Sequence, residues 1–215
     1  MLLNLKLPER IDLTAAARYM GGPPDAATLA LLTRLEPGLL AAASPRAVWQ
    51  PVPLDPPPPW LAGRDIFRHL AGCGSALLLA VTLGSRCDDF IRRAGVGDVA
   101  AAAGADALAS ALTEQLAHRA EQALRDLHPG QYLTGRFSPG YGDWPVTVQG
   151  SLCAALDAHR AIGLTATDTS LLLPRKSVTA LLGVSQHPVT GARAGCQHCV
   201  LAATCQYRKR GTTCE

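Results

Sequence analysis

Six consecutive apolar residues, Ala76-Leu77-Leu78-Leu79-Ala80-Val81, continue across Thr82 to Leu83 and are fenced by Gly74 and Gly84. No longer apolar run occurs in the chain, and it falls far short of the roughly 20 residues that span a bilayer, so no membrane partner is expected. Its length and glycine flanks read as a buried strand, and the rest of the chain must then cover it. Ala and Leu dominate the 48% of residues that are apolar and favour helices, while 20 Gly and 16 Pro exclude an all-helical bundle. The expected fold class is α+β: a central antiparallel-rich sheet packed with helices, in one domain of about the usual size.

The remaining elements follow from caps and breakers. Asp12 to Met20 reads as a short helix capped by Asp12 and stopped at Gly21-Gly22-Pro23-Pro24. A second starts near Asp25, carries Leu29, Leu32 and Leu35, and is expected to end at Pro37-Gly38. Pro51 to Pro59 lacks the N–H groups for a sheet interior and is expected to form an extended, polyproline-like strap over the surface. Short helices are expected over Asp65–Leu70 and Asp88–Ala94. Asp98 caps a long Ala-rich helix that runs to Leu127 and stops at His128-Pro129-Gly130. On that helix Ala105, Leu108, Leu112 and Leu116 make one stripe, while Ala103, Ala107, Ser110, Glu114 and Ala117 make an opposite face of small residues around one carboxylate. Asp143 to Ile162 has helical spacing, and Thr165–Leu173 and Ser177–Ser185 are strand-like runs expected to pair or neighbour one another in one sheet. Residues 1–190 are thus read as one domain and residues 191–215 as a cysteine-rich basic extension.

Charge narrows the partners. The net charge of +3 is local, because the segment from Gln186 onward carries Arg193, Arg208, Lys209 and Arg210 against Glu215 alone. The remainder is balanced, so no nucleic-acid partner is expected. Met1-Leu2-Leu3-Asn4-Leu5-Lys6 lacks the organisation of a secretory leader, and the protein is expected to be cytoplasmic. In that reducing setting seven cysteines do not make a disulfide frame. Cys73, Cys87 and Cys153 read as small buried residues. Cys196, Cys199, Cys205 and Cys214 stand close together among Gly, Arg and polar residues, which admits structural zinc, an iron–sulfur cluster completed from His198 or Cys214, or free thiols. The histidines form no metal pair or nucleophilic order, and no phosphate-binding glycine loop is present, so hydrolase and nucleotide-triphosphate chemistry is not expected.

The most specific segment is Arg136-Phe137-Ser138-Pro139-Gly140-Tyr141-Gly142-Asp143-Trp144-Pro145, between a helix stop and a helix start. Its glycines permit positive φ and close approach of a ligand to backbone, and its prolines stiffen the loop. Arg136 offers a fork for a carboxylate, and Tyr141 an aromatic face for a cation. Those are the needs of a zwitterionic sulfonium amino acid; an ordinary turn with a structural arginine has the same composition.

Arg136, then three residues, Gly140-Tyr141 and Pro145 resemble the signature of the activation domain of cobalamin-dependent methionine synthase. Further similarity lies in Val81-Thr82-Leu83-Gly84 with Asp88-Asp89, in Leu112-Thr113-Glu114, and in Ile162-Gly163-Leu164 with Asp168-Thr169 and Ser177-Val178. It covers roughly residues 65 to 185, and Ser138–Pro145 followed by Pro174–Thr179 looks most like the stand-alone bacterial form.

The resemblance implies binding of S-adenosylmethionine and delivery of its methyl group, with one electron, to cob(II)alamin on a partner corrinoid methyltransferase. The implied partner is methionine synthase, and the implied electron donor a flavodoxin or ferredoxin. It also implies that Arg136 pairs with the methionyl carboxylate, that Ser138, Pro139 and Gly140 line the ligand, that Tyr141 sits between donor and corrin, and that Glu114 meets the ammonium. Asp168 is left out of the site, and none of Asp12, Asp25 and Asp55 is assigned as an N-terminal ligand residue. No Asp-x-His-x-x-Gly is present, so cobalamin is expected to arrive on the partner. Rival readings are a metal-cluster electron-transfer or interaction protein and an S-adenosylmethionine sensor.

Overall fold

The computed structural model describes residues 1–21 and 24–189. In chain order these form β1 (Leu2–Leu3), α1 (Leu13–Tyr19), α2 (Ala26–Ala42), β2 (Arg46–Pro53), α3 (Arg64–His69), β3 (Ser75–Thr82), α4 (Ser85–Ala94), α5 (Val99–Asp126) and β4 (Tyr132–Leu133). A 3₁₀ turn over Val146–Val148 leads into α6 (Gln149–Ala155), α7 (Ala158–Ile162), β5 (Thr165–Ala166), β6 (Leu172–Leu173) and β7 (Ser177–Ser185). Strands β1, β2, β3, β7 and β4 make one sheet in that order, with every neighbouring pair antiparallel.

The apolar run seen in the sequence is the centre of this sheet. Alternate residues of a strand point to opposite faces. Leu77, Leu79 and Val81 enter a core shared with α1, α2, α4 and α5, whereas Ala76, Leu78 and Ala80 enter a second core with Ile66 of α3, Leu152 of α6 and Ile162 of α7. Both faces are covered, and β3 is buried at every position from Ala76 to Thr82.

Capping residues act as the sequence indicates. The side chains of Asp12, Asp25 and Asp98 accept the N–H of Ala15, Thr28 and Ala101 at the starts of α1, α2 and α5. Helix α2 nevertheless runs past the expected stop at Pro37-Gly38, because Leu39 and Ala42 beyond it are buried and that burial outweighs one missing backbone bond.

Three further expectations are corrected. The first residues of the proline strap belong to β2: Trp49 donates its N–H to the Met1 carbonyl at 2.9 Å, and Pro51 and Pro53 turn the same side of the backbone to that edge, beyond the end of β1. The stretch from Asp143 to Ile162 is broken at Asp157, whose φ is 47°. In one straight helix Ala158 and Ile162 would project about 80–160° away from Leu152 and Leu156, and the break puts all four into one core. The runs 165–173 and 177–185 do not share a sheet. The first folds on itself as the β5–β6 pair, while β7, buried from Thr179 to Ser185, enters the central sheet beside β3. On α5, Ala107 and Ala117 are buried, so the face of small residues is partly covered and only Ala103 and Glu114 of that set are exposed.

Candidate functional site

The chain leaves β4 along the outer edge of β7. Thr134 donates its N–H to the Gly183 carbonyl at 3.0 Å, and Phe137 and Leu181 exchange both backbone bonds at 2.8 and 2.9 Å. Phe137 is buried in the core on the α3 and α6 side of the sheet, and strand alternation turns Arg136 toward the opposite face, where α5 passes.

There the Arg136 guanidinium meets two carboxylates. Its Nε donates to Glu121 at 3.1 Å and its Nη2 to Glu114 at 3.1 Å. These glutamates are seven residues apart, two helical turns, and so lie on one face of α5. Glu121 is well covered, at 14% side-chain exposure, and also accepts from Arg125 Nη2 at 2.7 Å; Glu114 is 52% exposed. Arg125 in turn donates to the carbonyls of Leu133 and Thr134 at 2.7 and 3.0 Å, three and two residues before Arg136. Two arginines and two glutamates therefore form a neutral network with one member, Glu114, open to solvent.

Beyond Arg136 the chain makes a tight loop. Tyr141 donates its N–H to the Ser138 carbonyl at 3.1 Å, Trp144 to the Tyr141 carbonyl at 3.1 Å, and Gly140 to the Trp144 carbonyl at 2.8 Å. Gly140 and Gly142 have φ of 93° and 53°, and a Cβ on Gly142 would collide with the Asp65 side chain. Trp144 is completely buried and donates its indole N–H to the Trp60 carbonyl at 3.0 Å, so the end of the proline strap anchors the loop. Tyr141 remains 55% exposed, edge-on to Phe137 at 6.1 Å between ring centres.

Asp143, read from sequence as opening its own helix, instead caps another. Its carboxylate accepts the N–H of Arg64 at 2.8 Å and of Asp65 at 2.9 Å, at the start of α3. Those bonds, that of Asp65 foremost, hold its carboxyl below the ordinary carboxylate range. Helix α3 carries buried His69, whose Nε2 lies 2.9 Å from the Gly135 carbonyl, and so supports the strand leading to Arg136.

Arg136 and Glu114, two of the residues singled out in the sequence, are thus brought into contact, and Ser138, Pro139, Gly140 and Tyr141 share the adjoining loop. Arg136 nevertheless has partners within the chain. Glu121, Arg125 and Asp143 went unnoticed in their roles, although the Glu121-to-Arg125 spacing of four on a helix is a readable ion-pair signal. Cys196, Cys199, Cys205 and Cys214 lie outside the described residues, among which no three metal-ligating side chains gather. Cys87 and Cys153 are buried as expected and Cys73 is half-buried; burial raises all three thiols, that of Cys87 to about 11. Two open depressions, of about 250 Å³ beside α6 and α7 and about 380 Å³ beside β1, include neither Arg136 nor the loop after it.

The family model for the activation domain of vitamin B12 dependent methionine synthase matches residues 78–190, just over half of the chain. The matched segment contains α5, Arg136 and the loop to Pro145, and it ends before the cysteines of the extension. A solved structure described as the MetH reactivation domain bound to AdoHcy superimposes with a TM-score of 0.61 at 16% sequence identity, over 95% of this chain and 82% of that one. Its likeness is one of fold. No curated protein sequence matches the chain.

Proposed function

The chain belongs to the vitamin B12 dependent methionine synthase activation domain family, and from that premise we propose that it binds S-adenosylmethionine at the Glu114–Arg136–Tyr141 site and supports reductive methylation of cobalamin on a partner methionine synthase. The observation that carries this reading is the contact between Arg136 and half-exposed Glu114 beside the loop. An amino-acid zwitterion presents a carboxylate and an ammonium a few ångströms apart, and the pair offers the opposite charges in matching order. Because the four-membered network is neutral, a ligand end that is itself neutral overall enters without leaving a charge uncompensated. The fold likeness to a reactivation domain bound to AdoHcy supports the same ligand class.

In this reading Arg136 takes the carboxylate, Glu114 turns from the guanidinium to the ammonium, and Ser138, Pro139 and Gly140 line the ligand. Tyr141 stands at the exposed rim, between the sulfonium methyl and the partner. Cobalamin on the partner would supply the methyl acceptor and a flavodoxin or ferredoxin the one electron, with S-adenosylhomocysteine as the product. The chain's part is placement rather than covalent catalysis. Binding of S-adenosylmethionine by calorimetry, followed by restoration of an oxidised methionine synthase in the presence of reductant, tests the proposal; a protein that binds the ligand but restores no partner would be a sensor instead.

A further inference from the structure

We propose that Glu121 and Arg125 form a brace that holds the guanidinium of Arg136 in the orientation a carboxylate needs, which makes Glu121 a positioning residue of the site. The inference rests on the S-adenosylmethionine reading and adds to it two residues and a division of labour between two glutamates.

Glu121 uses one oxygen for each arginine: Oε1 accepts from Arg125 at 2.7 Å, and Oε2 from the Nε of Arg136 at 3.1 Å. Arg125 is itself fixed by the carbonyls of Leu133 and Thr134, the residues that lead into Arg136. A single covered carboxylate therefore ties helix α5 to the backbone and to the side chain of the arginine. The bond to Nε orients the guanidinium plane and occupies its inner edge, which leaves the Nη1–Nη2 edge for a second carboxylate. Glu114 holds only Nη2, from a position half exposed to water. It is the exchangeable partner, and Glu121 the fixed one. An arginine already restrained this way loses less rotamer freedom when the ligand arrives, and the brace contributes to affinity through that saving alone.

The test compares S-adenosylhomocysteine with 5′-methylthioadenosine, which lacks the amino-acid end, by calorimetry on the full chain. Glu121→Gln keeps the shape but can no longer hold two arginines, and Arg125→Lys removes the grip on both carbonyls. Each variant is expected to raise Kd for S-adenosylhomocysteine roughly tenfold, the upper end of what ordering one long side chain on binding costs, and to leave Kd for 5′-methylthioadenosine unchanged. Should Glu121→Gln fail to fold, Arg125→Lys carries the test. An equal loss for both ligands would mean general structural damage and would overturn the proposal, as would unchanged binding of S-adenosylhomocysteine. Failure of the unaltered protein to bind S-adenosylhomocysteine would bring down the underlying reading, and this inference with it, and is recognised without any variant.

Discussion

Replacing Arg136 by alanine separates the two uses this side chain has. In the free protein it makes two charge-assisted bonds, one to a covered glutamate that keeps a second arginine and one to a glutamate in water. Since neither carboxylate is left buried and alone, the cost in stability should be only about 1 kcal/mol. For a domain of this size that amounts to a melting-temperature loss of about 2–4 °C. Binding should suffer more, because a fork bonded to a ligand carboxylate in a partly dry site is worth roughly 1.5–3 kcal/mol. In Kd that is about 10- to 150-fold, read by calorimetry with S-adenosylhomocysteine. Arg136→Lys keeps the charge but not the planar fork, and should fall between the two proteins. Equal affinity of Arg136→Ala and the unaltered protein, with the small thermal shift present, would refute the reasoning: the arginine would then be a tie between α5 and the loop and no part of the site.

Tyr141→Ala should retain most of the affinity for S-adenosylmethionine while slowing reactivation of an oxidised partner, and lost binding with unaltered transfer at saturation would reverse the assignment of Tyr141. Asp143 has a folded-state carboxyl pKa below its unfolded value, so its contribution to stability is complete above the unfolded value of about 3.9 and is lost as pH falls through the folded one. Asp143→Ala should therefore be less stable than the parent at neutral pH, with the difference closing in strong acid; parallel melting-temperature curves down to low pH would exclude the cap. The extension bearing Cys196, Cys199, Cys205 and Cys214 should hold a metal that is separable from ligand binding. Elemental analysis after anaerobic purification should find zinc, or iron with visible absorption, and truncation after Ser185 should remove the metal but leave S-adenosylmethionine affinity intact. Metal-free protein with full activity would reject this.

Local chemistry made much of the fold legible. Three aspartates cap three helices where the sequence places them, and the one long apolar run proves to be the strand covered on both faces. What misled was punctuation read without tertiary context. Pro37 stops a helix only when nothing beyond it is worth burying, and Leu39 is completely buried. Pro51 and Pro53 are incompatible with a sheet interior but not with the unpaired edge of β2. Strand β2 itself went unread, because Arg46-Ala47-Val48-Trp49-Gln50 is too short to show its alternation next to so many prolines. The break at Asp157 has no local signal either. It follows from the need of Leu152, Leu156, Ala158 and Ile162 to reach one core.

The site divides along the same line. The residues proposed to meet a ligand lie in one short segment plus one helix position, and their chemical types stand out in the sequence: a fork, a glycine turn, an aromatic ring and an acid. The residues that hold them do not. Glu121 and Arg125 look like any solvated pair on a helix until the chain after β4 returns across α5 and brings Arg136 against them. Asp143 looks like the cap of the helix that follows it until α3, nearly eighty residues earlier, is seen to start on its carboxylate. Both supports use a charged group to tie a loop to a distant helix end or face, and each is satisfied only by contacts of long sequence separation. A ligand needs few atoms in the right order, which a motif can encode locally; keeping those atoms still is the work of the whole fold, and for that reason the holding residues are found by geometry and not by motif.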